Sequence, residues 1–146
     1  MPQIELLTVA NHAEAINGLL YLSGAGWTDL RRPMRQPNGP IPANHVGIAV
    51  AILVGWNETN QSHRVSVRLE NADGGELVGM QADFEIGRPP GVPAGTDLRT
   101  VMAINAELQF PSAGIYRVVA AVADNRRSVT FRVLDIPAVP NQAPQQ

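Results

Sequence analysis

Hydrophobic and polar residues alternate along most of the chain, a pattern typical of β-strands with one buried face. In residues 62–71, for example, Val65, Val67 and Leu69 alternate with arginine, serine and glutamate. Turn residues separate the alternating segments, most clearly Asn17-Gly18, because both residue types tolerate the positive φ angles of a tight hairpin. The pattern predicts eight strands, at residues 3–12, 19–28, 45–56, 62–71, 78–86, 98–110, 115–123 and 129–136.

Two proline-rich segments, residues 33–42 and 87–95, interrupt the alternation. Proline lacks the N–H that a sheet ladder requires, so both segments are predicted to be loops. Residues 137–146 are rich in proline and glutamine and are predicted to form a disordered tail. We therefore expect one all-β domain over residues 1–136, built as an antiparallel β-sandwich or, alternatively, as an eight-stranded barrel.

Composition narrows the classes of function. The 146 residues carry a net charge of −2, include no cysteine, and have arginine at all 11 basic positions. Disulfide scaffolds, cysteine-based metal sites and lysine Schiff bases are therefore excluded. The weak net charge predicts neither a nucleic-acid partner nor a membrane partner. The N-terminus has no basic residues followed by an uninterrupted apolar stretch, which predicts a cytoplasmic protein.

Residues 110–118, Phe-Pro-Ser-Ala-Gly-Ile-Tyr-Arg-Val, resemble the tyrosine corner of immunoglobulin-like domains. In that motif a tyrosine near the start of strand F hydrogen-bonds back to the preceding turn, a role that falls here on Tyr116 after Gly114. Val118 stands at the position of the antibody cysteine. The resemblance implies an immunoglobulin-like β-sandwich with strands lettered in chain order, so that residues 45–56 are strand C, residues 62–71 strand C′ and residues 115–123 strand F.

A second resemblance involves residues 10–14 and 18–27, which are similar to the start of a family of small, uncharacterised bacterial immunoglobulin-like proteins common in actinobacteria. The likeness extends over most of the chain up to Ile136. It implies the same fold and a bacterial intracellular setting, and it supplies no catalytic residue.

Candidate chemistry is sparse. His12 and Glu14 are two residues apart, which places them on one side of a strand, where they could start a metal site or an acid–base pair. If His45 and His63 converged with them, the chain would be a metal-dependent hydrolase, which is one alternative function. The simpler interpretation is an exposed polar pair, and we predict no enzyme, no metal and no cofactor. A small-ligand pocket beside Trp27 or Trp56 is a further alternative.

Strands C and F carry small apolar residues on the face that should point away from the core. In the strand order G-F-C-C′ the two strands are neighbours, so one flat apolar surface is predicted, surrounded by arginines as in many protein interfaces. The predicted function is a non-enzymatic interaction or assembly module that binds a second copy of itself or another protein. The predicted interface consists of Ala49, Ala51, Leu53, Val119, Ala121, Arg64, Arg68 and Arg132.

Overall fold

The computed structural model describes residues 1–33 and 37–136, which form nine strands. They are β1 (Gln3–Ile16), β2 (Leu19–Ala25), β3 (Asp29–Arg32), β4 (Asn44–Val54), β5 (Ser62–Asn71), β6 (Glu76–Glu85), β7 (Leu98–Leu108), β8 (Gly114–Val122) and β9 (Asn125–Asp135). A 3-10 turn at Trp56–Glu58 follows β4. The predicted disordered tail, residues 137–146, lies outside the described residues. Within the described part, no helix has the length and apolar character needed to span a membrane.

Two sheets pack against each other, with the orders β2-β1-β4-β7 and β3-β9-β8-β5-β6. They do not close into a barrel, so the predicted β-sandwich is confirmed and the barrel alternative is wrong. The predicted antiparallel pairing does not hold throughout, because the short strand β3 runs parallel to β9. Sequence reasoning missed β3, since its four residues, Asp-Leu-Arg-Arg, are mostly polar and show no alternation.

The core lies between the middle strands of the two sheets. The inward residues of β4, β5 and β8 are mostly branched aliphatic side chains, which suit a buried pleated surface. They are almost wholly removed from solvent, with Val50 and Val118 at 0% exposure. At one end of the sandwich, Phe131 contacts the rings of Trp27, Phe110 and Tyr116. These contacts fix the inward face of every central strand, and therefore also fix which side chains point outward.

The hairpin of β1 and β2 forms an arm that folds back over the first sheet. Its turn has the predicted geometry, with φ angles of 52° at Asn17 and 76° at Gly18. Strand β1 pairs with β4 only as far as Ala10, and the one described strand that residues 12–16 pair with is β2. We call residues 12–23 the arm. Both strands of the hairpin contact β7, which lies on the far side of β4, so the arm crosses the outer face of β4.

The arm approaches the sheet most closely at Gly47. A Cβ atom at this position would lie 2.8 Å from the Ala13 nitrogen and 2.9 Å from the His12 carbonyl carbon. Only glycine leaves room for another backbone at such a distance. From β7, the Asn105 amide accepts a hydrogen bond from Ala13 N–H at 3.0 Å and donates one to the Ala13 carbonyl oxygen at 2.6 Å. The Asn105 side-chain amide thus supplies Ala13 with backbone hydrogen bonds in the part of β1 that no longer pairs with β4.

The arm also explains why the prediction that strands C and F lie side by side in one sheet is wrong. Lettering in chain order makes residues 19–28 strand B, but within residues 1–33 and 37–136 β2 is an additional edge strand that pairs only with β1. The places of strands B and C therefore fall to β4 and β5, whereas β8 keeps the place of strand F. Strand β4 takes the place beside β1, and β5, not β4, pairs with β8. Residues 45–56 and 115–123 consequently belong to opposite sheets.

The tyrosine corner is present. The Tyr116 hydroxyl donates a hydrogen bond of 2.7 Å to the Ser112 carbonyl oxygen, across the turn that leads into β8. Gly114 precedes it with a φ angle of 142°. The motif therefore has the geometry that the sequence predicted, without a disulfide beside it.

Candidate functional site

The predicted interface residues fall on two separate surfaces. Ala49, Ala51 and Leu53 lie on the outer face of the first sheet, where the arm covers much of them. Ala49 is 0% exposed and Ala51 5% exposed. One continuous apolar surface through β4 and β8 is therefore wrong, because these strands are in different sheets and the chain covers the β4 side itself.

The other predicted interface residues share the outer face of the second sheet. Val119 and Ala121 lie at its centre, and Val119 is only 5% exposed. Each of the three predicted arginines is held by an acidic residue of the same chain. The closest nitrogen–oxygen distances are 2.9 Å for Arg64–Asp83, 2.5 Å for Arg68–Glu70 and 3.1 Å for Arg132–Asp29. This face is therefore a network of ion pairs rather than an apolar patch with free arginines around it.

Glu70 is the most enclosed acid of this network, with its side chain 9% exposed. It accepts hydrogen bonds from Arg68 and Arg117, which flank it on β5 and β8. Burial alone raises the pKa of the Glu70 carboxyl, but the hydrogen bonds and charges of the two guanidinium groups outweigh it and hold the pKa below its usual range. The ionised form is thus the one that the fold stabilises.

This arrangement predicts the pH dependence of stability. A carboxyl whose pKa is lower in the folded state stabilises the fold above its unfolded pKa and loses that contribution as the pH falls through the folded value. Asp83, whose pKa is lowered by Arg64, acts in the same direction. We expect the free energy of unfolding to decrease as the pH falls below about 4.3.

Glu70→Gln should be less stable than wild type at neutral pH and lose less stability on acidification. Urea titrations from pH 7 to pH 3 measure both effects. Glu85→Gln is the control, and equal pH slopes for the two variants would contradict the assignment.

The structure brings three of the four predicted metal-site residues together. His12 Nδ1 lies 3.1 Å from His45 Nε2, and His12 Nε2 lies 3.2 Å from a Glu14 carboxylate oxygen. Sequence reasoning missed a fourth member, Glu107, which lies 2.6 Å from His45 Nδ1. Glu107 is opposite His45 in the β4–β7 register, so only the sheet pairing could have identified it. His63 is elsewhere and donates to the Glu58 carbonyl oxygen at 2.7 Å.

These four side chains form a hydrogen-bonded line from Glu14 through the two histidines to Glu107. Each carboxylate accepts one N–H from the nearer ring, and the two rings share the third hydrogen bond of the line. The line joins the arm to β4 and β7 and so helps to hold the arm in place. Within residues 1–33 and 37–136, no group of three or more His, Asp or Glu side chains is arranged to hold a metal ion.

Both tryptophans of the predicted ligand pocket are packed against their own chain. Trp27 meets Phe131 edge to face, with ring centroids 5.3 Å apart. The Arg88 guanidinium lies 4.1 Å from the Trp56 ring centre. Residues 34–36 of the proline-rich loop lie outside the described residues. A ligand pocket at either tryptophan therefore stays a prediction.

A groove of about 470 Å³ runs beneath the tip of the arm. The Arg99–Glu5 ion pair lies at its edge, and its apolar lining is Leu6, Leu19, Leu20, Ala51 and Val101. Leu19 and Tyr21 on the arm are 58% and 52% exposed. The arm is thus one surface at which apolar side chains meet solvent.

The second such surface is the side of the sandwich formed by β6 and β7. Here the inward side chains are only half-buried, although they belong to the core by position. This set comprises Met80, Ala82, Phe84, Met102, Ile104 and Ala106. Val78, which lies opposite Leu69 in the sheet, is 47% exposed. Two small apolar cavities, of about 100 and 170 Å³, open between the sheets along this side. We call it the open side.

Both strands of the open side are sheet edges. Among the described residues β6 pairs only with β5, and β7 only with β4. Each therefore presents a row of backbone groups that no neighbouring strand uses, which is the usual place for another strand to add. Sequence reasoning considered the faces of strands and so missed these unpaired edges.

A protein-family model, described as a family of unknown function (DUF6941), matches residues 5–134. A search of curated proteins finds no match.

Proposed function

The chain belongs to DUF6941, a family of unknown function, and we propose that it is a non-enzymatic protein-interaction or assembly module that binds through its open side. The interaction class is the one that the sequence predicted. The surface differs from the predicted one, because the predicted apolar residues are divided between the two sheets.

One observation carries this proposal, namely two unpaired sheet edges beside a core that is open between them. An extended strand added to β6 or β7 would satisfy backbone groups and cover half-buried methionine, phenylalanine and isoleucine side chains at the same time. The two edges are 10 and 11 residues long, so the open side extends for roughly 35 Å at strand geometry. The cavities between the sheets are smaller than the roughly 300 Å³ at which small-molecule sites begin, which favours a protein partner over a ligand.

Site-specific photo-cross-linking tests the proposal and its location. A photoreactive amino acid is placed at Gln81 on β6, at Leu19 on the arm, or at Asp124 in the turn before β9. We expect a discrete cross-linked species from position 81, identified by peptide mass spectrometry as a second copy or as another protein. Position 124, which is exposed and belongs to neither surface, is the control. Cross-linking from position 19 alone would assign the interface to the arm, and cross-linking from none of the three would contradict an interaction module.

A further inference from the structure

We propose that the partner at the open side is a second copy of the chain, paired edge to edge around a two-fold axis that passes through Ala103 of β7 and Gln81 of β6. This inference rests on the proposed function and names its partner. Two copies related in this way present the same surface to each other, as in most homodimers.

Strand β7 has the sequence expected of a strand that pairs with itself. In an antiparallel pair centred on Ala103, Arg99 of one copy lies opposite Glu107 of the other, and the same contact occurs again on the symmetric side. Val101 then lies opposite Asn105. On the inward face the opposing pairs are Leu98 with Leu108, Thr100 with Ala106 and Met102 with Ile104. No like charges oppose each other in this register.

Strand β6 can pair with its own copy around the same two-fold axis. The two cavities of the open side show how β6 and β7 are aligned, since one joins Val78–Met80 to residues 104–108 and the other joins Ala82–Phe84 to Thr100–Met102. Gln81 is thus level with Ala103. Pairing β6 with its copy around Gln81 places Asp83 opposite Gly79 and Glu85 opposite Leu77. All three charged residues of β6 are acidic, yet this register sets no acid directly against another.

The charged side chains at the edge of β7 are available for this contact. Arg99 uses Nε and one terminal nitrogen for Glu5, which leaves its other terminal nitrogen free of these bonds. Glu107 uses one carboxylate oxygen for His45. The side chains are 57% and 64% exposed. Each can therefore keep its present partner and gain one across the axis, since a guanidinium has five donors and a carboxylate about four acceptor positions.

The consequence for the core is direct. Both sheets would continue from one copy into the other, and the two open sides would close each other. Met80, Phe84, Met102 and Ile104 would then lie inside a shared core instead of beside solvent. The dimer would also remove two long sheet edges, which monomeric proteins otherwise have to protect from uncontrolled pairing.

Charge reversal tests the register without depending on any unknown ligand. Light scattering and sedimentation give the dimer dissociation constant for wild type, Arg99→Glu and Glu107→Arg. Each single variant places like charges opposite each other twice, so we expect dissociation constants raised roughly 10- to 100-fold. A 1:1 mixture of the two variants should form a heterodimer close to wild-type affinity, because both opposing pairs then regain opposite charges. The contacts within each chain are the same alone and in the mixture, so a folding defect cannot imitate this rescue.

Two results would overturn the inference. One is a wild-type protein that stays monomeric up to about 1 mM, and the other is a dimer whose affinity shows no rescue on mixing. If position 81 then cross-links to a different protein, the interaction function survives and only the self-pairing fails. If no cross-link forms there either, both proposals fail.

Discussion

Gly47→Ala is expected to lower the free energy of unfolding by about 2–3 kcal/mol, the upper part of the usual range for a side chain forced into occupied space. The new methyl group would meet the backbone of the arm below 3 Å, and backbone at both positions is held by neighbouring strands. The strain is relieved only if the arm moves outward, which weakens both hydrogen bonds between Asn105 and Ala13. Urea unfolding measures the stability, and hydrogen exchange of the Ala13 amide measures the release of the arm.

Gly79→Ala is the matched control, because Gly79 is also on the outer face of a strand. Its added methyl group would meet the Glu76 carboxylate at 3.1 Å, the mobile end of a side chain. We expect the control to change stability by less than about 1 kcal/mol, with a gain possible from the reduced freedom of the unfolded chain. Equal effects of the two substitutions on the free energy of unfolding would show that the close approach of the arm at Gly47 is not the cause of the destabilisation.

Tyr116→Phe is expected to cost about 1–1.5 kcal/mol, because it removes the hydroxyl that bonds to the Ser112 carbonyl oxygen and keeps the ring in the aromatic cluster. Tyr21→Phe removes the same hydroxyl from a ring on the arm that is 52% exposed, so it should leave stability unchanged. Thermal and urea unfolding of both variants make the comparison. A loss that is equal in both would mean that the corner bond is not what stabilises the turn.

Strand positions and the tyrosine corner could be predicted from the sequence, because both depend on local patterns. Residues 62–71 alternate so regularly that the predicted and observed strand agree at both ends. The hairpin at Asn17-Gly18 follows from the conformations that these two residues tolerate. These features need no knowledge of which strand lies beside which.

Strand neighbours could not be predicted, because they depend on the whole sandwich. Because β2 is part of the arm, β4 takes the place of strand B and β5 that of strand C, and this separates Ala49 from Val119. From the sequence, the alanines and glycine on the outer face of β4 predict an exposed surface. Their small size instead makes room for the arm, which no periodicity shows. Glu107 lies beside His45 only because β4 pairs with β7 in this register, which the sequence does not show.

The order of the strands along the chain also has a consequence for synthesis on the ribosome. Every strand of the first sheet has been made once Leu108 is added, but the second sheet needs β8 and β9, which end at Asp135. At ordinary translation rates the missing part takes on the order of seconds. During that interval the second sheet lacks its central strand β8 and the adjacent β9, so its own chain can cover the apolar inner face of the first sheet only in part.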